Sequence, residues 1–232
     1  MKSDGIDLKA ILAVCLLTDG SMQVKGNHFR ISFSTSDLIF RDLIFSLINE
    51  LSVKVPSIDF TKKRNYLIRV SDELLGHRML ALSPNYKTSP TWKHQTKEEY
   101  LQEPQPTLKF LAGANQQTKL WALRFGFTSD GCISVRVKGQ VAIELACYHP
   151  TLAPEWKDFA QSFGFKINIT KSKNSWCIIS GIRIQTQAGF KKFYNLGGFI
   201  DDVKISRKSK RFCGMAKNEL LEIVVNGGSR RI

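Results

Sequence analysis

No apolar stretch in this chain of 232 residues, that at Ile11–Leu17 included, approaches the ~18–20 residues of a membrane-spanning helix. Cysteine is scarce. Cys15, Cys132, Cys147, Cys177 and Cys213 are odd in number and form no CxxC pair, which argues against a disulfide framework and a zinc ribbon. Cys15 and Cys177 sit in apolar stretches and read as small buried hydrophobes. The four histidines, His28, His77, His94 and His149, stand without ligand spacing, so no zinc finger or zinc-deaminase pattern is formed. Residues Met1 to Gly5 lack the apolar core and small-residue cleavage site of a secretory signal, and an intracellular protein is expected.

Acids are the other deficit. Asp and Glu total 20 against 34 Lys and Arg, a net charge of +14. The stretch from Lys166 to Arg211 holds 11 basic residues and only Asp201 and Asp202 as acids. An excess of this kind points to a polyanion, because each neutralised phosphate releases condensed counterions. With 43% hydrophobic and 10% aromatic residues the chain can bury a real core, which excludes wholesale disorder. Its length suits one large domain or two small ones.

Four of the seven prolines, Pro84, Pro90, Pro104 and Pro106, fall among Ser, Thr and Asn and mark a linker over residues 83–107, with a helical turn at Lys97–Gln102. On either side the chain reads alike. A helical segment at Asp7–Thr18 ends in Asp19-Gly20, and one at Leu108–Ser129 ends in Asp130-Gly131, 111 residues on. Strand pairs follow, Met22–Phe33 turning at Gly26-Asn27 and Cys132–Cys147 turning at Lys138-Gly139. Helices come next, Ser36–Leu51 with Ser36 as N-cap, and Leu152–Phe163. A second hairpin completes each sheet: Ser57–Thr61 with Tyr66–Val70, and Lys166–Thr170 with Trp176–Gln185. Helices Asp72–Leu82 and Thr186–Phe199 close the halves, and Lys217–Val225 forms a terminal helix. The fold class is therefore α+β, two αββαββα repeats over 1–82 and 108–232.

An Asp-Gly after a helix ordinarily means a turn, with Gly20 and Gly131 in the left-handed conformation that ends helices. Two in matched positions mean more. A helix C-terminus is already partly negative, so a carboxylate there needs a cation. Two such helices packed side by side would bring two carboxylates together, and a hard divalent cation with oxygen ligands resolves the repulsion.

Leu12–Gly20 (LAVCLLTDG) resembles the LAGLIDADG motif, and Leu123–Gly131 (LRFGFTSDG) resembles a second copy, with Gly126 and Ser129 as small residues that permit close helix packing. The chain is similar to the single-chain, two-motif homing endonucleases of archaeal introns. That resemblance implies motif helices at the interface of two pseudo-symmetric halves, whose antiparallel sheets form a DNA-binding saddle. It implies a monomeric enzyme of the cytoplasm or nucleoid that makes a double-strand break at a long site in duplex DNA and leaves 3′ overhangs. Carried over, Asp19 and Asp130 are catalytic metal ligands, assisted by Gly20 and Gly131. The metal is Mg²⁺, with Mn²⁺ able to substitute and Ca²⁺ binding without supporting efficient cleavage. The family also carries a peripheral lysine near the scissile phosphate, for which Lys204 and, in the linker, Lys87 are the candidates by position; the alternative for Lys204 is a surface lysine. Where the family often has Gln after the second strand, this sequence has Ser34, with Ala146 or Cys147 opposite. Related proteins act as RNA maturases on intron RNA, or bind DNA without cleaving it, and a regulator on the same fold is a further alternative.

Strand alternation marks the expected DNA face independently. Phe29, Ile31 and Phe33 alternate with His28, Arg30, Ser32 and Ser34, and Ile133, Val135 and Val137 with Cys132, Ser134, Arg136 and Lys138. Ile167 and Ile169 alternate with Lys166, Asn168 and Thr170, and Ile182 and Ile184 with Arg183 and Gln185. The polar sets contain the residue types that read base edges in the major groove. Arg30, Arg69, Arg136, Asn168, Arg183 and Gln185 are expected to contact bases, with Lys25, His28, Ser32, Ser34, Ser134, Lys138 and Thr170 on the same surface. Lys62, Lys63, Arg64, Lys171, Lys173, Arg207, Lys208 and Lys210 are expected to grip phosphates.

Overall fold

The structure is a computed structural model that describes residues 5–61, 65–89, 96–135, 140–171, 178–206 and 209–227. The chain divides into two compact units, 1–122 and 123–232.

In the first unit α1 (Leu8–Leu17) leads into β1 (Gly20–Lys25), β2 (His28–Thr35), α2 (Leu38–Leu51), β3 (Ser57–Phe60), β4 (Tyr66–Val70) and α3 (Glu73–Leu80). The antiparallel sheet runs β1-β2-β4-β3. Gly26, at φ 57°, makes the β1–β2 turn that the Gly-Asn pair predicts. One face of the sheet is core: Phe29, Ile31, Phe33, Ile68 and Val70 are buried against helices that supply Phe40, Ile44, Leu75 and Met79. α2 begins one residue later than expected and is capped by Asp37, not Ser36; its carboxylate accepts from Phe40 N at 2.9 Å. A charged acceptor complements the helix dipole better than a hydroxyl does, which favours this register. Asp72 caps α3.

The described residues of the 83–107 segment do more than span. Tyr86 is buried and its hydroxyl donates to Met79 O at 2.8 Å; Ser83 Oγ donates to Asn85 O and accepts from Thr107 N. α4 (Lys97–Gln102) carries a capping box, Thr96 with Glu99, and buries Tyr100. A 3-10 turn at Lys109–Leu111 then precedes α5 (Gln116–Ser129), which Asn115 caps through Thr118 N. The unit boundary falls within α5.

The second unit repeats the order with β5 (Gly131–Val135), β6 (Val141–Ala146), α6 (Leu152–Ser162), β7 (Ile167–Lys171), β8 (Ile179–Ile184) and α7 (Gln187–Asn195), then adds α8 (Lys217–Val225). Its sheet runs β5-β6-β8-β7, the same order as the first. Trp156, Phe165, Phe193 and Phe199 fill its core with Ile143, Leu145, Ile182 and Ile184. Gly126 leaves room for Trp156, since a Cβ there would lie 2.3 Å from the indole. No described helix is long and apolar enough to cross a membrane.

Candidate active site and nucleic-acid interface

α1 is apolar on every face, and nine of its ten residues are buried. Asp7 caps its start by accepting from Lys9 N and Ala10 N. At its end the Thr18 hydroxyl turns back to Val14 O and Cys15 O, and Asp19 stands exposed beyond it. Burial, reinforced by the charge of Asp19, pushes the Cys15 thiol well above its ordinary range. It is a packing residue and no nucleophile.

Neither Gly20 nor Gly131 adopts the expected left-handed conformation. Each is instead the first residue of a strand that doubles back against the helix it leaves. A Cβ on Gly20 would lie 2.7 Å from Leu16 Cα, and one on Gly131 would lie 2.2 Å from Phe127 O. Glycine is required here by close backbone approach, which keeps each aspartate at the junction of helix end and sheet.

Asp130 is half-buried, and its backbone ties helix to sheet: its N–H donates to Gly126 O and its carbonyl accepts from Ala146 N. The compensating cation for this helix end is Lys217. Its ammonium donates to Thr128 O at 2.5 Å and Gly131 O at 2.9 Å, and lies 5.5 Å from the Phe199 ring centroid. A network holds it there. Asn218 accepts from Phe199 N and donates to Phe199 O and Asp201, Arg124 donates to Phe199 O and Asp201, and Thr128 Oγ1 accepts from Ile200 N. The role of Lys217 is not legible in local sequence patterning. The signal available was a lysine at the first position of a helix, where the dipole disfavours a cation. Lys204 is exposed and pairs its backbone with Ala216, next to Lys217 in sequence. Lys87 is anchored in the linker: its carbonyl accepts from Tyr100 and its ammonium lies 5.1 Å from that ring centroid.

The open faces of the two sheets align residue for residue. In the first, Ser21 faces Ser32, Ser32 faces Arg69, and Arg69 faces Ser57. In the second, Cys132 faces Glu144, Glu144 faces Arg183, and Arg183 faces Asn168. Each row starts one residue after the glycine that opens the sheet. The second row borders a cleft of about 230 Å³ lined by Asp130, Cys132, Glu144, Tyr148, Ser180 and Arg183. Arg183 Nε lies 2.7 Å from Glu144 Oε1, with both side chains about one-fifth exposed. Burial first, then Glu144, raises the Cys132 thiol, against the opposing pull of Lys217 and Arg183.

Among the other expected contacts, Lys25, His28 and Arg30 are exposed, and Ser32, Ser34 and Ser134 are half-buried. Arg69 pairs with Asp59 at 3.1 Å. Both are well exposed, and water and salt weaken such a pair. Asn168 donates to Gln185 at 2.7 Å. Thr170 departs from the expected alternation: it is buried, its hydroxyl accepts from Ser180, and Ile169 is exposed beside it. The departure borders an irregular register at Thr170/Lys171, and Thr170 lies opposite Gly181. Lys171 and Lys210 are exposed. Lys62, Lys63, Arg64, Arg136, Lys138, Lys173, Arg207 and Lys208 lie outside the described residues.

Divalent-metal chemistry suits the carboxylates present. No cluster of three or more His, Cys, Asp or Glu side chains forms a self-contained metal site among the described residues. Mg²⁺ does not need one, since it keeps several waters and is commonly held by one or two carboxylates with substrate phosphates. Asp19 and Asp130 offer such oxygens. The Gly131 carbonyl already receives the Lys217 ammonium on one of its two lone pairs.

Comparison with known proteins agrees with this geometry. Residues 117–198 match the family model of the LAGLIDADG-like domain. No curated protein sequence matches the chain. Among solved structures, mesophilic variants of the homing endonuclease I-DmoI align with a TM-score of 0.55 at 16% identity, covering 82% of this chain and 94% of that one. The homing endonuclease I-WcaI bound to its DNA recognition sequence aligns with a TM-score of 0.51 at 13% identity, covering 84% and 83%. Full-length DUF199/WhiA from Thermotoga maritima aligns with a TM-score of 0.51 at 15% identity, covering 95% of this chain but 60% of that one. I-DmoI is also known in complex with DNA and Ca, and with DNA and Mn. The chain thus has the two-repeat LAGLIDADG fold of I-DmoI, and its second half carries a LAGLIDADG-like domain.

Proposed function

We propose that the protein is a site-specific, monomeric DNA endonuclease of the homing type, which cuts both strands and leaves 3′ overhangs. The observation that carries this reading is the duplicated junction: in each unit an Asp-Gly pair links a helix end to the first strand of a four-stranded sheet of the same order. Asp19 and Asp130 would each hold a divalent cation, Mg²⁺ or Mn²⁺, with Gly20 as a further oxygen donor in the first unit. When bound, such a cation lowers the pKa of a coordinated water and stabilises charge on the phosphate and leaving oxygen.

The chain's own residues do the rest. Lys217 joins Lys204 as a candidate for the peripheral role, with its ammonium at the end of α5 where phosphate charge must be balanced. Arg30, Arg69, Asn168, Arg183 and Gln185 read bases from the open sheet faces, while Lys171 and Lys210 hold the backbone. Paired carboxylates at helix ends have no use in RNA binding or in DNA binding without cleavage, which favours the nuclease reading over both.

The test is cleavage of DNA carrying the uninterrupted insertion site, or of a randomised library, with Mg²⁺ and with Ca²⁺. Defined double-strand breaks are expected with Mg²⁺ and binding alone with Ca²⁺. Asp19→Asn and Asp130→Asn should each abolish the double-strand break while retaining binding. Full cleavage by either variant would overturn the assignment of metal ligands.

A further inference from the structure

The matched rows of the two sheets differ at one position, and the difference is chemical. Arg69 and Arg183 occupy the same place in their sheets, each opposite the middle of the second strand. The residue facing Arg69 is Ser32, and the residue facing Arg183 is Glu144. Arg69 meets its acid, Asp59, through terminal nitrogen Nη1, with side chains 45% and 54% exposed. Arg183 meets Glu144 through Nε, with side chains 21% and 23% exposed. The Nε contact is short, yet Nε makes no aligned hydrogen bond among the described residues, so the attraction is one of charge.

The geometry points to Glu144 as a positioning residue that presents Arg183 to guanine, making the second half of the target site more stringently read at this base pair than the first. The inference rests on the proposed DNA reading and deepens it. Guanine in the major groove offers O6 and N7, which a guanidinium can take together through its two terminal nitrogens. Glu144 holds the inner edge of the fork and leaves that pair available. Burial restricts the arginine's rotamers before DNA arrives, so less freedom is lost on binding. A carboxylate on a phosphate-facing surface is repelled unless neutralised, and Arg183 supplies that neutralising charge to Glu144. Arg69 lacks this arrangement. Its terminal nitrogen is occupied by an exposed acid, and Ser32 exerts no directing charge.

The experiment is a specificity profile: binding in Ca²⁺ and cleavage in Mg²⁺ measured against every single base-pair change in the site. Wild type should prefer guanine at one position in the second half-site by at least about fivefold, the lower end for a bidentate arginine. Arg183→Lys keeps the charge without the fork and should flatten that position alone. Glu144→Gln keeps the shape without the charge and should weaken discrimination at the same base pair, a readout that a purely structural glutamate would not move. Arg69→Lys should have a smaller effect, at a different position. Uniform weakening across all sequences in Arg183→Lys, or Glu144→Gln acting at a different base pair, would overturn the inference while leaving the nuclease reading intact. A wild-type protein without sequence preference would overturn both.

Discussion

Replacing Lys217 by Met tests the second helix end most directly. Methionine keeps most of the apolar stem but removes the ammonium that serves Thr128 O and Gly131 O. A buried carbonyl left without a donor costs about 1–3 kcal/mol, and a cation lost from a helix C-terminus costs about 0.3–2 kcal/mol. Lys217 is itself half-exposed, so water recovers part of both. A net loss of about 2 kcal/mol is expected, or a fall in melting temperature of roughly 4–8 °C for a chain of this size. Thermal and urea melts followed by circular dichroism would measure it, with Lys217→Arg as the variant that retains a cation and most of the stability. On supercoiled plasmid bearing the target, Lys217→Met should also accumulate nicked circles before linear product. A variant within about 0.5 kcal/mol of wild type, the range of an ordinary surface change, would refute the reasoning.

Gly131→Ala places a Cβ 2.2 Å from Phe127 O and should destabilise by at least the ~1–3 kcal/mol of overpacking. Gly26→Ala, with nothing near its Cβ, should show only the ~1–2 kcal/mol conformational penalty; equal losses in urea melts would contradict the close-approach argument. His149 is buried, and its Nδ1 accepts from Thr151 N and Leu152 N at the start of α6. Burial lowers its pKa from 6.5 to about 4. The folded form therefore binds the proton less readily than the unfolded one. Its contribution is complete above pH 6.5 and is lost as pH falls towards 4. Urea midpoints should follow that slope, and His149→Asn, which keeps a capping acceptor without the titration, should flatten it. DNA affinity should fall steeply and log-linearly with salt, by about 0.9 in slope for each phosphate neutralised; a flat response would count against the basic face.

The local elements were legible from residues close in sequence. The apolar helix α1, the Gly26-Asn27 turn, the helical turn at Lys97–Gln102 and the span of α8 all appear where the local residue pattern puts them. The repeat was legible for the same reason, because two Asp-Gly ends 111 residues apart each start the same succession of short-range patterns. What sequence misjudged were features whose partners are distant. Glycine at a helix end suggested a left-handed cap, but only the path of the following strand shows that backbone contact with Leu16 and Phe127 is the constraint. Glu144 reads as a lone acid in an apolar strand until the register of β6 with β8 sets it against Arg183. Lys217 is only a cation at an unfavourable helix start until α8 is seen to bring it 86 residues back to Gly131. Periodicity and capping are decided within a turn or two of chain, so the sequence determined them. Charge pairing across strands and at helix ends depends on register and packing between distant segments, and only the tertiary structure could decide those.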